Sequence, residues 1–173
     1  MNKIQARLPP TLPNSEQQYA SSPCLLHEVD PTYLGYWSSD ELLTFLSELL
    51  KLERQGAKAF AEIGKTADLH SADLALEFEL TQASLCVFIL EQIEARGGRV
   101  MLPSPPCGET SEELCAKCSL KRAIARAVHN QKKLVEAIQR ALPKLFDADL
   151  HAELVSMRKL HQGRVAHLKD LCA

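Results

Sequence analysis

The stretch Ser39–Ile63, SDELLTFLSELLKLERQGAKAFAEI, decides how the rest of the chain must fold. It contains no proline, and Leu42, Leu46, Leu49, Glu53, Gly56, Phe60 and Ile63 recur at alternating spacings of four and three. Such a stripe is the seam of a helix packed into a bundle. One member does not suit a core. Glu53 places a carboxylate where leucine is expected, and what Glu53 faces becomes the question of function.

Upstream, Ser38 followed by Glu41 is a capping-box pair and predicts the start of this first helix. Gly64 predicts its end. Residues 1–22 are polar and hold Pro9, Pro10 and Pro13, the composition of a flexible tail. Residues 23–37 carry Leu25, Leu26, Val29, Tyr33, Leu34, Tyr36 and Trp37. That is too much apolar surface for water, and it predicts an ordered, non-helical lead-in over one end of the bundle.

Downstream, three more amphipathic segments follow. The second helix is expected at about 72–96, with Leu74, Phe78, Gln82, Leu85, Ile89 and Ile93 or Gln92 inward and Gly97-Gly98 as its stop. The third is expected at about 111–142, opened by a Thr110/Glu113 capping box and stopped near Pro143. Its seam runs through Leu120, Ile124, Val128, Gln131, Val135 or Leu134, Ile138 and Leu142. The fourth is expected at about 148–171, capped by Asp147, with Leu150, Leu154, Met157, His161, Val165 and Leu168 inward. Four such helices predict an all-α four-helix bundle spanning residues 23–173 as one domain. The loop between helices 2 and 3 has roughly 13 residues and reaches ~40 Å extended, about the ~38 Å of a 25-residue helix. Two topologies stay open, a crossover along the bundle and a simple up-down arrangement.

Composition agrees with helices: 46% apolar residues, 5% aromatics and seven glycines in 173 residues. The formal charge of −2 argues neither for nor against an acidic partner, and nucleic acid is not expected as one. No uncharged apolar run reaches the ~18–20 residues of a membrane span. Residues 1–18 lack an apolar signal-peptide core. A cytoplasmic protein with its six cysteines reduced is the expectation.

Each seam has one polar interruption, Glu53, Gln82, Gln131 or His161, close to the middle of its helix. Similar heights predict one shared layer. A buried polar group without partners costs several kcal/mol, so the layer must satisfy itself or hold something. The first reading is a hydrogen-bond network in which Glu53 accepts from Arg158, Gln82 or His161. The second is a single metal, iron or zinc, on Glu53 and His161.

At these positions the chain resembles the ferritin-like superfamily of carboxylate-bridged bundles, in which helices 1 and 3 each supply a Glu and helices 2 and 4 each supply Glu-x-x-His. Glu53 matches the first glutamate and His161 the last histidine. Gln82 and Leu85 stand in place of the helix 2 pair, Gln131 in place of the helix 3 glutamate and Arg158 in place of the helix 4 glutamate. The opening SPCLLHEVDP, the helix 1 run and the RGG that ends helix 2 also resemble a bacterial family of uncharacterised ferritin-like domains, DUF6306, over roughly residues 22–170. The resemblance implies a fold and a di-iron site with most ligands replaced. One carboxylate and one imidazole are too few to balance two hard iron ions. No catalytic residue is assigned.

The thiols offer a separate candidate. Cys115 and Cys118 lie one turn apart at the expected start of helix 3, Cys107 precedes them and Cys172 ends helix 4. Four thiolates at one end would suit zinc or copper(I); the plainer reading is scattered surface thiols. Cys86, next to Leu85, reads as a small core residue. Lys117, Lys121, Arg122, Arg126, Lys132, Lys133 and Arg140 make helix 3 basic without aromatic interleaving, which reads as a solvated face. The residues therefore predict a non-catalytic binding or interaction module without a cofactor, its partner another protein or a second copy. The alternative is a metal-binding protein using Glu53/His161 or Cys107/Cys115/Cys118/Cys172.

Overall fold

Ser38 begins the bundle as expected. In the computed structural model, which describes residues 31–100 and 116–170, its Oγ accepts from the Glu41 backbone N–H at 3.3 Å while its own N–H donates to Glu41 Oε2 at 2.9 Å. The Ser38 backbone N–H, and next the Ser38 hydroxyl donating to the same Oε2 at 2.9 Å, hold the Glu41 carboxyl below its ordinary value. Helix α1 then spans Ser39–Thr66, α2 Leu69–Ala95, α3 Ala116–Ala141 and α4 Ala148–Asp170. Short 3-10 turns cover Pro31–Leu34 and Leu142–Lys144.

Gly64 does not end α1. The helix continues to Thr66, and the chain reverses through Ala67 and Asp68, both extended. Asp68 Oδ1 accepts from Ser71 N–H at 3.0 Å, so α2 starts three residues earlier than expected. A good side-chain cap at Asp68 competes better than a glycine that can stay helical. The other end of α2 does follow its glycines. Gly97 takes φ 75°, and Gly98 N–H returns to Ile93 O at 2.9 Å. The Thr110/Glu113 capping box lies outside the described residues.

Helix directions settle the topology. Gln82 lies opposite Glu53, and the Phe60 and Phe78 rings meet at 5.3 Å, so α2 runs antiparallel to α1. Asn130 Nδ2 reaches Leu52 O at 2.9 Å while Arg126 pairs with Glu62, so α3 is also antiparallel to α1. Helices α2 and α3 are therefore parallel, and the chain between them joins opposite ends of the bundle. This is the crossover alternative. Helix α1 packs against α2 and α3, and α3 packs against α4. Side chains of α4 reach α2 at Arg164–Gln82, and Asp147, just before α4, reaches Arg96 just after α2.

The part of the lead-in that is described packs on the end where α1 starts. Trp37 N–H donates to Lys144 O at 2.8 Å, its ring lies 5.2 Å from Phe45, and Tyr36 meets Phe146 edge-on at 5.4 Å. Above this lies one apolar cluster, with Leu46, Leu49, Ile89, Ile93, Leu134, Ile138 and Leu154 buried. A second, containing Phe60, Ile63, Phe78, Ile124 and Leu168, fills the opposite end. Between the two sit polar side chains.

Candidate functional site

Glu53, Gln82, Gln131 and His161, one from each helix, are all 0% exposed. Alternating spacings of three and four put each on its helix's core face, and the antiparallel packing brings the midpoints level. Gln82 Nε2 donates to Glu53 Oε2, and His161 Nε2 lies 2.9 Å from Glu53 Oε1. His161 Nδ1 lies 2.7 Å from Gln131 Oε1, whose Nε2 donates to Gln82 Oε1 at 3.2 Å. The four side chains form a closed ring of hydrogen bonds.

The cation in the layer is Arg164, not Arg158. Arg164 is 3% exposed, and its Nη1 donates to Gln82 Oε1 at 2.9 Å. Its guanidinium lies 5.7 Å from the Phe60 ring and 5.1 Å from Phe78, within cation–π reach. Burial pushes it down to about 10, against the pull of Glu53 and Glu77. It stays charged at neutral pH. Arg158 is half-buried, makes no hydrogen bond or ion pair with Glu53, and leaves its buried Nε without a partner. The reason is helix geometry. Side chains lean toward the N-terminus of their helix, so an arginine three residues after His161 leans back into the layer. One three residues before it leans away. The buried seam of α4 is accordingly Leu150, Leu154, Met157, His161, Arg164 and Leu168, with Val165 only half-buried.

Arg164 also sets the polarity of the ring. A guanidinium only donates, so Gln82 must turn Oε1 toward it and Nε2 toward Glu53. Gln131 then gives Nε2 to Gln82 and presents Oε1 to His161, whose Nδ1 must carry hydrogen. One further proton, between His161 Nε2 and Glu53 Oε1, completes the set. Both oxygens of Glu53 are then engaged by protein groups.

Gly56 makes the ring fit. A Cβ there would lie 2.3 Å from Gln82 Nε2 and 2.8 Å from Asn130 Nδ2. The glycine lets two amides approach the α1 backbone, and Asn130 uses the space to reach Leu52 O. Cys86 lies half-buried on α2, and burial, reinforced by Glu53, pushes its thiol up to about 11.

Residues 40–170 match a family model described as a domain of unknown function, DUF6306. The chain belongs to that family. The DUF6306 match runs from the first turn of α1 to the end of α4, and so contains every member of the polar layer. No curated protein and no solved structure matches the chain.

Among the described residues, no group of three or more His, Cys, Asp or Glu side chains is placed to hold a metal ion. Cys107, Cys115 and Cys172 lie outside the described residues, as does the side chain of Cys118, so the thiol candidate has no geometry here. No described helix is long and apolar enough to cross a membrane. Sequence reasoning missed Arg164 and Asn130. The signal for Arg164 was its place three after His161 and four before Leu168; Val165 drew the seam instead because it is apolar.

Proposed function

We propose that this DUF6306 protein is a ferritin-like bundle whose di-iron centre has been replaced by a self-satisfied polar layer, and that it works as a non-catalytic binding or interaction module. The observation that carries this reading is the full engagement of Glu53 by His161 and Gln82, with a protein guanidinium in the same layer. The residues do not fit a di-iron group. Of the six ligand positions only Glu53 and His161 remain, two are neutral amides, one is Leu85 and one is Arg158. A cation entering the layer must separate Glu53 from His161 and sit near Arg164, where like charges repel.

Metal analysis of protein purified without an affinity tag tests this directly. The expected result is less than a tenth of an equivalent of iron or zinc, and a melting temperature unmoved by chelator. A stoichiometric metal, lost in Glu53→Gln together with its stabilisation, would overturn the proposal in favour of a metal-binding protein. A stoichiometric metal that Glu53→Gln retains would point instead to the thiols.

A further inference from the structure

We infer that the outer face of α2 is a docking surface for an amphipathic helix flanked by lysine and arginine; this rests on the interaction-module reading. Helix α2 is apolar on two faces. Ala75, Phe78, Gln82, Ile89 and Ile93 face the core. On the other side Leu69, Leu76, Leu80 and Val87 are 81, 53, 60 and 54% exposed. With Ala83, also exposed, they fall at spacings of seven, four, three and four, the first of these split four and three by exposed Asp73. That is the a/d repeat by which one helix receives another. Single exposed leucines need no explanation, whereas a row of them along ~27 Å of helix marks an interaction surface.

The charge around the row selects the partner. Exposed Glu77 and Glu91 border it, exposed Asp73 stands in it between Leu69 and Leu76, exposed Glu94 lies in line beyond its end, and Leu69–Ala95 contains no lysine or arginine. Pairing with α2 of a second copy would set acidic flank against acidic flank, which is destabilising. Helix α3 of a second copy has the right charge, but no large apolar side chain among its described residues is exposed. An anionic membrane surface would be repelled by the same carboxylates. A separate helix with an apolar stripe and basic flanks meets both requirements at once.

The probe is a synthetic 21-residue helix with leucine at a and d and lysine on both flanks, titrated into the full chain by calorimetry. A control peptide keeps the leucines and exchanges lysine for glutamate. We expect saturable one-to-one binding of the lysine peptide, at least tenfold weaker binding of the glutamate peptide, and weakening with salt. Leu80→Ser and Leu76→Ser leave the acidic rim intact and sit in solvent, so they should preserve helicity while weakening the lysine peptide about tenfold or more. Binding indifferent to Leu80→Ser, equal binding of the two peptides, or no binding overturns the assignment. So does a wild-type dimer in sedimentation that Leu80→Ser dissociates, because the occupant is then a second copy. Metal analysis stays independent. A metal-free protein that fails this test loses only the docking surface, while stoichiometric metal removes the reading beneath it.

Discussion

The two apolar clusters on either side of the polar layer are built from different side chains, and only one of them admits a charge. The cluster nearer the start of α1 is filled by large aliphatic residues, among them Leu46, Leu49, Leu50, Ile89, Ile93, Leu134 and Ile138. The other contains Ala59, Ala75, Ala123 and Ala127 beside Phe60 and Phe78. The two rings meet edge-on, and the Arg164 guanidinium lies over both, 5.7 Å from Phe60 and 5.1 Å from Phe78. Long charged side chains can cover apolar surface in this way. The half with the smaller residues is also the half whose aromatic rings carry the group that orients the layer.

Removing that group should give the largest effect. Arg164→Ala leaves a void over Phe60 and Phe78 and takes the cation away from buried Glu53, at an expected cost of about 3–5 kcal/mol. Leu134→Ala, in the aliphatic half, should cost about 3 kcal/mol from lost burial and cavity alone. Shape-conserving swaps separate the halves. Leu134→Met should cost under ~1.5 kcal/mol, whereas Arg164→Met fills the space but deprives Gln82 Oε1 of a charged donor, about 1.5–3 kcal/mol. Urea denaturation reads all four. If Arg164→Met were as stable as wild type, the guanidinium would be filler and the contrast between the halves would fail.

Glycine substitutions sharpen the same contrast by sign. Gly56→Ala pushes a methyl against the amides of Gln82, held by the ring, and Asn130, held by Leu52 O, so it should destabilise by about 1–3 kcal/mol. Gly163→Ala, on α4 where an added Cβ meets nothing within 4 Å, should stabilise by about 0.5–1 kcal/mol. Thermal melts of the two variants suffice. A neutral Gly56→Ala would show that the ring yields easily and does not specify the packing.

How far the sequence reaches follows from which residues obey period and polarity together. The seam of α1 alternates cleanly and buries Leu46, Leu49, Phe60 and Ile63. That of α2 runs mostly at fours, buries Phe78, Ile89 and Ile93, and leaves Leu74 and Leu85 half-buried with Ala75 buried instead. The mid-helix polar positions could be read by spacing because each interrupts a run of apolar residues. Arg164 could not, since an arginine with apolar Val165 beside it looks like the outside of a helix. What holds it inside is Gln82 and the Phe78 carbonyl on α2 with the Phe60 ring on α1, which is a tertiary fact. The end of α1 was misread for a local reason: Gly64 carries no positive φ and simply stays helical. Asp68 holds the stronger signal, a side-chain cap.

Glu53→Gln should move stability by no more than about 2 kcal/mol in either direction. The amide relieves the burial of a carboxylate and loses the attraction of Arg164, and these terms oppose each other. It also exchanges one acceptor for a donor, so the bond from Gln82 or that from His161 must be remade. Denaturation midpoints of wild type and variant, each with and without chelator, should shift with the mutation and not with the chelator. Chelator sensitivity confined to wild type would mean that Glu53 holds a metal.

The smallest effect concerns Cys86, the ionisable group that packs against the aliphatic cluster. Burial acts on Cys86 and Arg164 alike, disfavouring the charged form of each. For Arg164 it leaves a cation at neutral pH; for Cys86, pushed up to about 11 from 9.0, it leaves a neutral thiol. At pH 8 the thiolate population should be about a hundredfold below that of an unperturbed cysteine. Alkylation by iodoacetamide, followed residue by residue with mass spectrometry, should therefore label Cys86 in native protein far more slowly than in urea. The sign of the linked stability follows. The unfolded chain releases this proton near pH 9 and the folded chain near 11, so the stabilisation is complete below 9 and is lost as pH rises through 11. Labelling of native Cys86 at the rate of a free cysteine would show that its half-burial is not protective, and that the aliphatic half is open to water beside Leu85.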